Sequence, residues 1–228
     1  MIAYNQRTLC LGPTGSGKSE LLNAQLSAFR VQRVVYDSKD EFSVAGAELV
    51  REVDAIDWRA PIIHFVPGED VRGDAQAFFA AAFRQPRPLL VAVHELADLC
   101  EYRAHATPPA VNRYIRQGRA HGKGLLGASQ RPVEMPVSAR SEPEHVFLFT
   151  TPPLAPDDMD AVARMMGRPV SDVHQHIAQA RNLGPYSFLY FERATGALTL
   201  CPPLPDHLRR RTIVNRRTFT ASGSTVSR

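Results

Sequence analysis

Residues Gly12 to Ser19 read GPTGSGKS, three glycines set among small polar residues and closed by Lys-Ser. Gly12, Gly15 and Gly17 let a backbone curl tightly with its N–H groups pointing inward, which is a cradle for a chain of phosphates. Lys18 then reaches the β and γ phosphates and Ser19 ligates Mg²⁺. Pro13, Thr14 and Ser16 complete the loop, and Glu20 follows in the first turn after it. The competing reading is a glycine-rich turn that binds nothing. It is disfavoured by context, because an apolar strand (Thr8 to Leu11) precedes the motif and a helix with Leu22, Leu26 and Phe29 on one face follows it. The expected cofactors are ATP and Mg²⁺.

Hydrolysis of a bound nucleotide requires a group that polarises water. The segment PLLVAVHEL, residues 88–96, is an apolar strand ending in His94-Glu95. Glu95 is placed to act as the general base that orients the attacking water. The bland alternative is a carboxylate that merely starts a helix, leaving a site that binds without hydrolysing. His94 stands where an Asp commonly helps to hold the metal, and a neutral imidazole suits Mg²⁺ poorly because that ion prefers hard oxygen ligands. Two arrangements stay open: Asp37, at the end of another strand, assists the metal, or Mg²⁺ rests on Ser19, phosphates and water.

A third element, GLLGASQRP (124–132), is again an apolar strand, ending in Gln130. In a parallel sheet the C-terminal strand ends converge on the ligand crevice, which brings Gln130 beside the terminal phosphate as a sensor. Just before it, PAVNRYIRQGRAHG has helical spacing, with Val111, Tyr114, Ile115 and Gly118 on one face and Arg113, Arg116 and Arg119 on the opposite arc of about 120°. Either these arginines form a solvated face, or one of them is a finger that stabilises phosphoryl transfer in a neighbouring subunit.

The elements that must position these groups follow from periodicity. Strands are expected at Thr8–Leu11, Arg33–Asp37, Pro61–Val66, Leu89–Val93, Gly124–Ala128 and His145–Thr150, mostly continuous apolar runs of the kind covered on both faces. A final pair, Tyr186–Glu192 and Leu198–Cys201, is joined by a short turn containing ERATG and should form an antiparallel hairpin. Helices with apolar faces at Phe79 and Phe83, and at Met159, Val162, Ala163 and Met166, lie between the strands. Arg131–Pro143, with three prolines, reads as an exposed loop. The fold class is α/β, a mostly parallel sheet flanked by helices.

Composition supports one globular core: 228 residues, 44% hydrophobic and 22% charged, exclude a disordered or collagen-like chain. There is no apolar run long enough to span a membrane and no secretory pattern at the start, so a soluble, intracellular protein is expected. Cys10, Cys100 and Cys201 form no pair with metal or disulfide spacing and read as buried packing residues. His174 and His176, two apart on a helix, splay and do not suggest a metal site, and Trp58, the single tryptophan, reads as a packing residue. The charge is uneven: residues 206–228 hold six Arg and one Asp, whereas residues 1–205 hold 21 basic and 22 acidic side chains. That tail is either a solvated end or an arm for phosphate backbones. The organisation expected is a single domain over residues 1–205 and a basic tail over 206–228.

The ordered set GPTGSGKS, VVYDSKDEF (34–42), LLVAVHE (89–95), RQGRAHGKGLLGASQRP (116–132) and LGPYSFLYFERATG (183–196) resembles the FtsK/HerA superfamily of DNA-pumping P-loop ATPases. The compact length is most similar to the genome-packaging ATPases of membrane-containing, double-jelly-roll viruses and phages. The resemblance covers residues 7 to about 203, and His94 departs from the usual acidic pair. It implies a RecA/FtsK-like fold, with Lys18 and Ser19 as the Walker A lysine and serine, Glu95 as catalytic glutamate, Gln130 as sensor and an arginine of the 116/119 pair as the trans-acting finger. It also implies a homo-oligomer, a hexameric ring threading double-stranded DNA without regard to sequence, docked on capsid, portal or membrane proteins in the host cytoplasm or the virion. Two alternatives are a cellular HerA-like or conjugative pump and a nucleotide-binding scaffold with very slow hydrolysis.

Overall fold

The computed structural model describes residues 2–41, 46–101, 106–141 and 143–209. Among the described residues nine strands form one sheet: β1 (Arg7–Leu11), β2 (Gln32–Tyr36), β3 (Glu48–Val50), β4 (Ile62–Phe65), β5 (Leu89–Val93), β6 (Lys123–Ser129), β7 (His145–Phe149), β8 (Phe188–Glu192) and β9 (Ala197–Cys201). Their order is β3-β4-β2-β5-β6-β1-β7-β8-β9. All neighbours from β3 to β7 run parallel, while β7–β8 and β8–β9 are antiparallel, so the expected terminal hairpin is present.

The helices that accompany the sheet are α1 (Lys18–Ala28), α2 (Val71–Arg84), α3 (Pro109–Gln117), α4 (Val137–Ser141), α5 (Pro156–Met166), α6 (Val170–Arg181) and α7 (Asp206–Arg209). Because successive side chains of a strand point to opposite faces, each strand feeds two cores. Leu9, Leu11, Val34, Tyr36, Val91, Leu125 and Leu148 face α2, α3, α5 and α6, whereas Cys10, Val35, Leu90, Leu126 and Phe147 face α1. Every residue of β5 is fully buried, as a strand covered on both sides requires. Tyr36 anchors the larger core, its ring 5.2 Å from Phe78, 5.6 Å from Phe65 and 5.8 Å from Phe79, with its hydroxyl donating to Val71 O at 3.0 Å. Trp58 is indeed a packing residue, 6.0 Å from Phe78.

Three expectations need correction. β3 has no counterpart in the periodicity, because this edge strand is only three residues long and mostly exposed. Arg131–Pro143 is not an exposed loop: a 3₁₀ turn at Pro132–Glu134 and helix α4 occupy it, and Met135 and Ala139 are buried in the larger core. Pro132 and Pro136 stand at the starts of helical turns, where a missing N–H costs nothing, and Pro143 lies in the short stretch before β7. Cys10 and Cys100 are buried, but Cys201 is only half-buried, since β9 is the other edge of the sheet. The end of the chain beyond Arg209, holding most of the arginine tail, lies outside the described residues, as does Phe42. No helix among the described residues is long and apolar enough to cross a membrane.

Candidate functional site: a phosphate loop facing a buried carboxylate

The loop from Gly12 to Gly17 leaves the C-terminal end of β1 and enters α1. Gly17 caps the helix at φ 102°, a left-handed conformation that disfavours any side chain. At Gly12 the constraint is close approach: a Cβ there would lie 2.8 Å from Phe149 Cβ and 3.0 Å from Ser16 Oγ. Gly15 is different. It sits exposed at the crown of the loop with φ 74°, and a Cβ there would meet nothing within 4 Å, so its backbone is open to an approaching ligand and only the turn calls for glycine. Ser16 N donates to Pro13 O at 3.3 Å, and Gly12 N to Ser129 O at 3.2 Å, which ties the loop to β6. Ser16 is buried and its hydroxyl has no partner among the described residues. Lys18, 7% exposed, turns its ammonium back onto Pro13 O at 2.7 Å. Burial lowers its pKa to about 8, with Lys39 pushing the same way and Glu95 opposing. A concave loop with a buried cation and an orphaned hydroxyl fits a phosphate chain. Ser19 is half-buried and Glu20 exposed on the first turn of α1.

Glu95 is the second residue past the end of β5 and is 5% exposed. Its Oε1 accepts from Ser129 Oγ at 2.6 Å and Ala97 N at 3.4 Å, and its Oε2 accepts from Gln130 N at 3.2 Å. Lys39 Nζ stands 3.9 Å from Oε2. Burial raises the carboxyl's pKa, and the Ser129 bond, Lys39 and the backbone donors pull it back only in part. Gln130, at the end of β6, accepts from Thr14 Oγ1 at 2.6 Å. Thus the phosphate loop, the candidate base and the candidate sensor, separated by up to 116 residues of chain, are joined by direct hydrogen bonds.

Asp37 is fully buried at the end of β2, 3.2 Å from His64 Nε2, with its Oδ1 accepting from Lys39 N at 3.3 Å. His94 sits beside it, 7% exposed, and burial drives its pKa down to about 3 despite the attraction of Asp37. It is therefore neutral at any ordinary pH, and its ring adds no negative charge where a metal-holding carboxylate would. Among the described residues no cluster of three or more His, Cys, Asp or Glu could hold a metal ion. The donors present suit a hard cation held through Ser19, phosphate oxygens and water, with Asp37 already engaged by His64.

Arg113, Arg116 and Arg119 are all exposed, as the helical spacing requires. Arg113 lies over the Phe83 ring at 4.3 Å, a cation–π contact. Arg119 pairs with Glu144 at 3.1 Å, and Glu144 also holds Arg7 at 3.1 Å. Burial works to raise the Glu144 pKa, but the Arg7 bonds outweigh it and keep the carboxyl ionised. Arg116 has no ion pair among the described residues and borders a cavity of about 660 Å³ with Arg7, Asn112 and Ser138. Since Arg7 opens β1 and the phosphate loop closes it, this arginine cluster lies at the opposite, N-terminal ends of the strands, roughly 16 Å away along β1. The structure thus brings together Lys18, Glu95 and Gln130 and keeps Arg116 and Arg119 apart from them. His174 is exposed and His176 pairs with Asp172 at 3.2 Å.

Sequence reasoning missed Lys39 and Ser129, the two side chains that set the charge and direction of Glu95. Both lie within segments that the motifs delimit, but only the pairing of β2, β5 and β6 brings them to Glu95.

No family model and no curated protein matches the chain. Among solved structures, the genome packaging NTPase B204 from Sulfolobus turreted icosahedral virus 2 in complex with AMPPCP is similar at a TM-score of 0.72 and 16% identity, over 89% of this chain and 100% of that one. The same protein in complex with sulfate gives 0.69 at 14% identity, over 89% and 98%. B204, the DNA-packaging ATPase from Sulfolobus Turreted Icosahedral Virus, gives 0.61 at 15% identity, over 88% and 98%. At these identities the likeness is one of architecture, and the chain has the P-loop NTPase fold, similar to that of the genome-packaging NTPase B204.

Proposed function

We propose that the chain binds ATP·Mg²⁺ at the Gly12–Ser19 loop, hydrolyses it, and uses the cycle to move double-stranded DNA as a genome-packaging motor assembled in a ring. The observation that carries this reading is the bonded line Thr14–Gln130–Glu95–Ser129, which joins the phosphate loop to a buried carboxylate. A loop that only bound nucleotide would not need a carboxylate with a raised pKa aligned beside it.

In the reaction, Lys18 leaves Pro13 O for the phosphates. Glu95 accepts the proton of a water that attacks the γ phosphorus, the bond to the β,γ-bridging oxygen breaks, and ADP and phosphate result. Ser19 would hold the Mg²⁺, which when bound neutralises charge on the phosphates. Gln130 exchanges Thr14 for the terminal phosphate and reports its loss. Arg116 and Arg119 sit too far from their own loop to act there, which supports a finger working on the neighbouring subunit's nucleotide, in a hexamer or similar ring. The tail arginines beyond residue 209 would add backbone contacts to DNA that ignore sequence and weaken with salt. A motor of this type works in the host cytoplasm or on the virion.

The DNA substrate rests on the resemblance of the motifs and on the fold shared with B204. One observation favours a second reading, a scaffold with very slow turnover: His94 supplies no charge to the metal site. ATP hydrolysis with and without linear duplex DNA separates the two. Stimulation by DNA that fades with added salt is expected, and a DNA-insensitive rate unchanged by Glu95→Gln would favour the scaffold.

A further inference from the structure

The order of the strands decides which way a bound nucleotide must run. Glu95 and Gln130 stand at the ends of β5 and β6, on one side of β1, while β7 and β8 lie on the other. A triphosphate whose last phosphate faces Glu95 and Gln130 crosses the loop and delivers its base toward β7 and β8.

On that side the turn between α6 and β8 carries Tyr186. A Cβ built on Gly17 would lie 3.6 Å from Tyr186 Cδ1 and 3.1 Å from Phe149 Cε1, so the ring flanks the phosphate loop. Tyr186 is 47% exposed and has φ 65°, one of two non-glycine residues with positive φ among the described residues. A bulky residue in that region is rare, and such strain persists only where the surroundings impose it. Here they do. Ser187 Oγ shares its one proton between Ala180 O at 2.6 Å and Gly184 O at 2.8 Å, Thr150 Oγ1 donates to Ser187 O at 3.4 Å, and Arg181 Nε donates to Thr150 O at 3.0 Å. Phe149 and Phe188 are paired across β7 and β8 with their rings 5.2 Å apart, Phe188 standing two residues beyond Tyr186 in the chain. These bonds fix the backbone on either side of Tyr186 and leave its aromatic face beside the loop.

We propose that Tyr186 is the platform on which the nucleobase stacks. The inference rests on the nucleotide reading given above and extends it to the chemistry of the base. Ser187 and Thr150 are buried, 1% and 2% exposed, with their hydroxyls donating to backbone carbonyls, so neither reaches a base edge and among the described residues this turn offers the base the π-face of Tyr186. The ligand class is therefore a nucleoside triphosphate of any base, with purines ahead of pyrimidines through their larger stacking surface and ATP level with GTP.

The test is equilibrium binding of ATP, GTP, CTP and inorganic tripolyphosphate to the full chain as wild type, Tyr186→Phe, Tyr186→Ala and Tyr186→Gly. The glycine variant relaxes the left-handed backbone and keeps the comparison open should the alanine variant fold poorly. Loss of the ring should weaken ATP and GTP alike by about tenfold or more, leave tripolyphosphate unchanged, and be absent in Tyr186→Phe. ATP binding as tight in the ringless variants as in wild type would overturn the platform. So would an equal loss for tripolyphosphate, which would mark a distorted loop, or a wild-type preference for ATP over GTP of tenfold or more, which would require an edge reader. Wild-type chain that binds neither ATP nor tripolyphosphate would overturn the nucleotide reading itself and this inference with it.

Discussion

The Thr14 hydroxyl donates to the Gln130 amide oxygen at 2.6 Å, a bond between the exposed crown of the phosphate loop and the end of the neighbouring strand. Because the Gln130 backbone N also donates to Glu95 at 3.2 Å, the residue that meets the terminal phosphate with its side chain holds the carboxylate with its main chain. Gln130→Ala should therefore leave ATP affinity nearly intact while lowering turnover by about 10²-fold, as losing one group that acts on the reacting phosphate does. Steady-state kinetics with a parallel binding titration checks this, and a loss of affinity without loss of turnover would contradict it.

Lys39 acts on both ionisations that hydrolysis needs. It lowers the pKa of Glu95, against the burial that raises it, and lowers that of Lys18, alongside the burial that brings it to about 8. Activity requires Glu95 ionised and Lys18 protonated, so kcat/KM should fall on the acid side as Glu95 takes up its proton and on the basic side above about pH 8. Lys39→Met removes a nearby positive charge, raises both values, and should move both limbs of the profile to higher pH, whereas Lys39→Arg should keep them in place. Limbs that stay put or move apart would contradict the assignment.

His94→Asp places a second carboxylate beside the buried Asp37. Two adjacent buried anions, which the nearby Lys39 offsets only in part, should cost about 2 kcal/mol of stability, read as a lower thermal midpoint. Added Mg²⁺ with nucleotide should recover most of that deficit, because the new carboxylate suits a hard cation. A variant whose midpoint is insensitive to Mg²⁺ and nucleotide would show that position 94 does not face the metal.

Arg116 and Arg119 differ in a way their spacing does not reveal, since Arg119 is held by Glu144 and Arg116 is not. Arg116→Ala subunits mixed with wild type should depress activity more steeply than their share of the mixture, as each mutant subunit disables its neighbour's site. Activity strictly proportional to wild-type content would argue against shared sites.

Much of this arrangement is legible in the chain itself. The glycine spacing, the apolar runs and the polar residue that ends each run locate the loop, β5, β6 and the faces of α3 and α5, because local periodicity and burial agree there. What escapes is what tertiary structure supplies. α4 and the turn at Pro132 exist because Met135 and Ala139 are drawn into the core, overriding a proline-rich composition that reads as loop. β3 is three residues held by pairing with β4, by a bond from Val66 N to Val50 O at 3.0 Å and by the contact of Val50 with the larger core. Lys39 and Ser129 gain their significance from strand pairing that places β2 and β6 on either side of β5.

The most direct measurement is single-turnover ATP hydrolysis by Glu95→Gln beside wild type, with nucleotide binding followed in the same samples. If the Ser129-bonded carboxylate is the base, the variant should hold ATP about as well as wild type and cleave it roughly 10²- to 10⁴-fold more slowly. Cleavage at the wild-type rate would contradict the account.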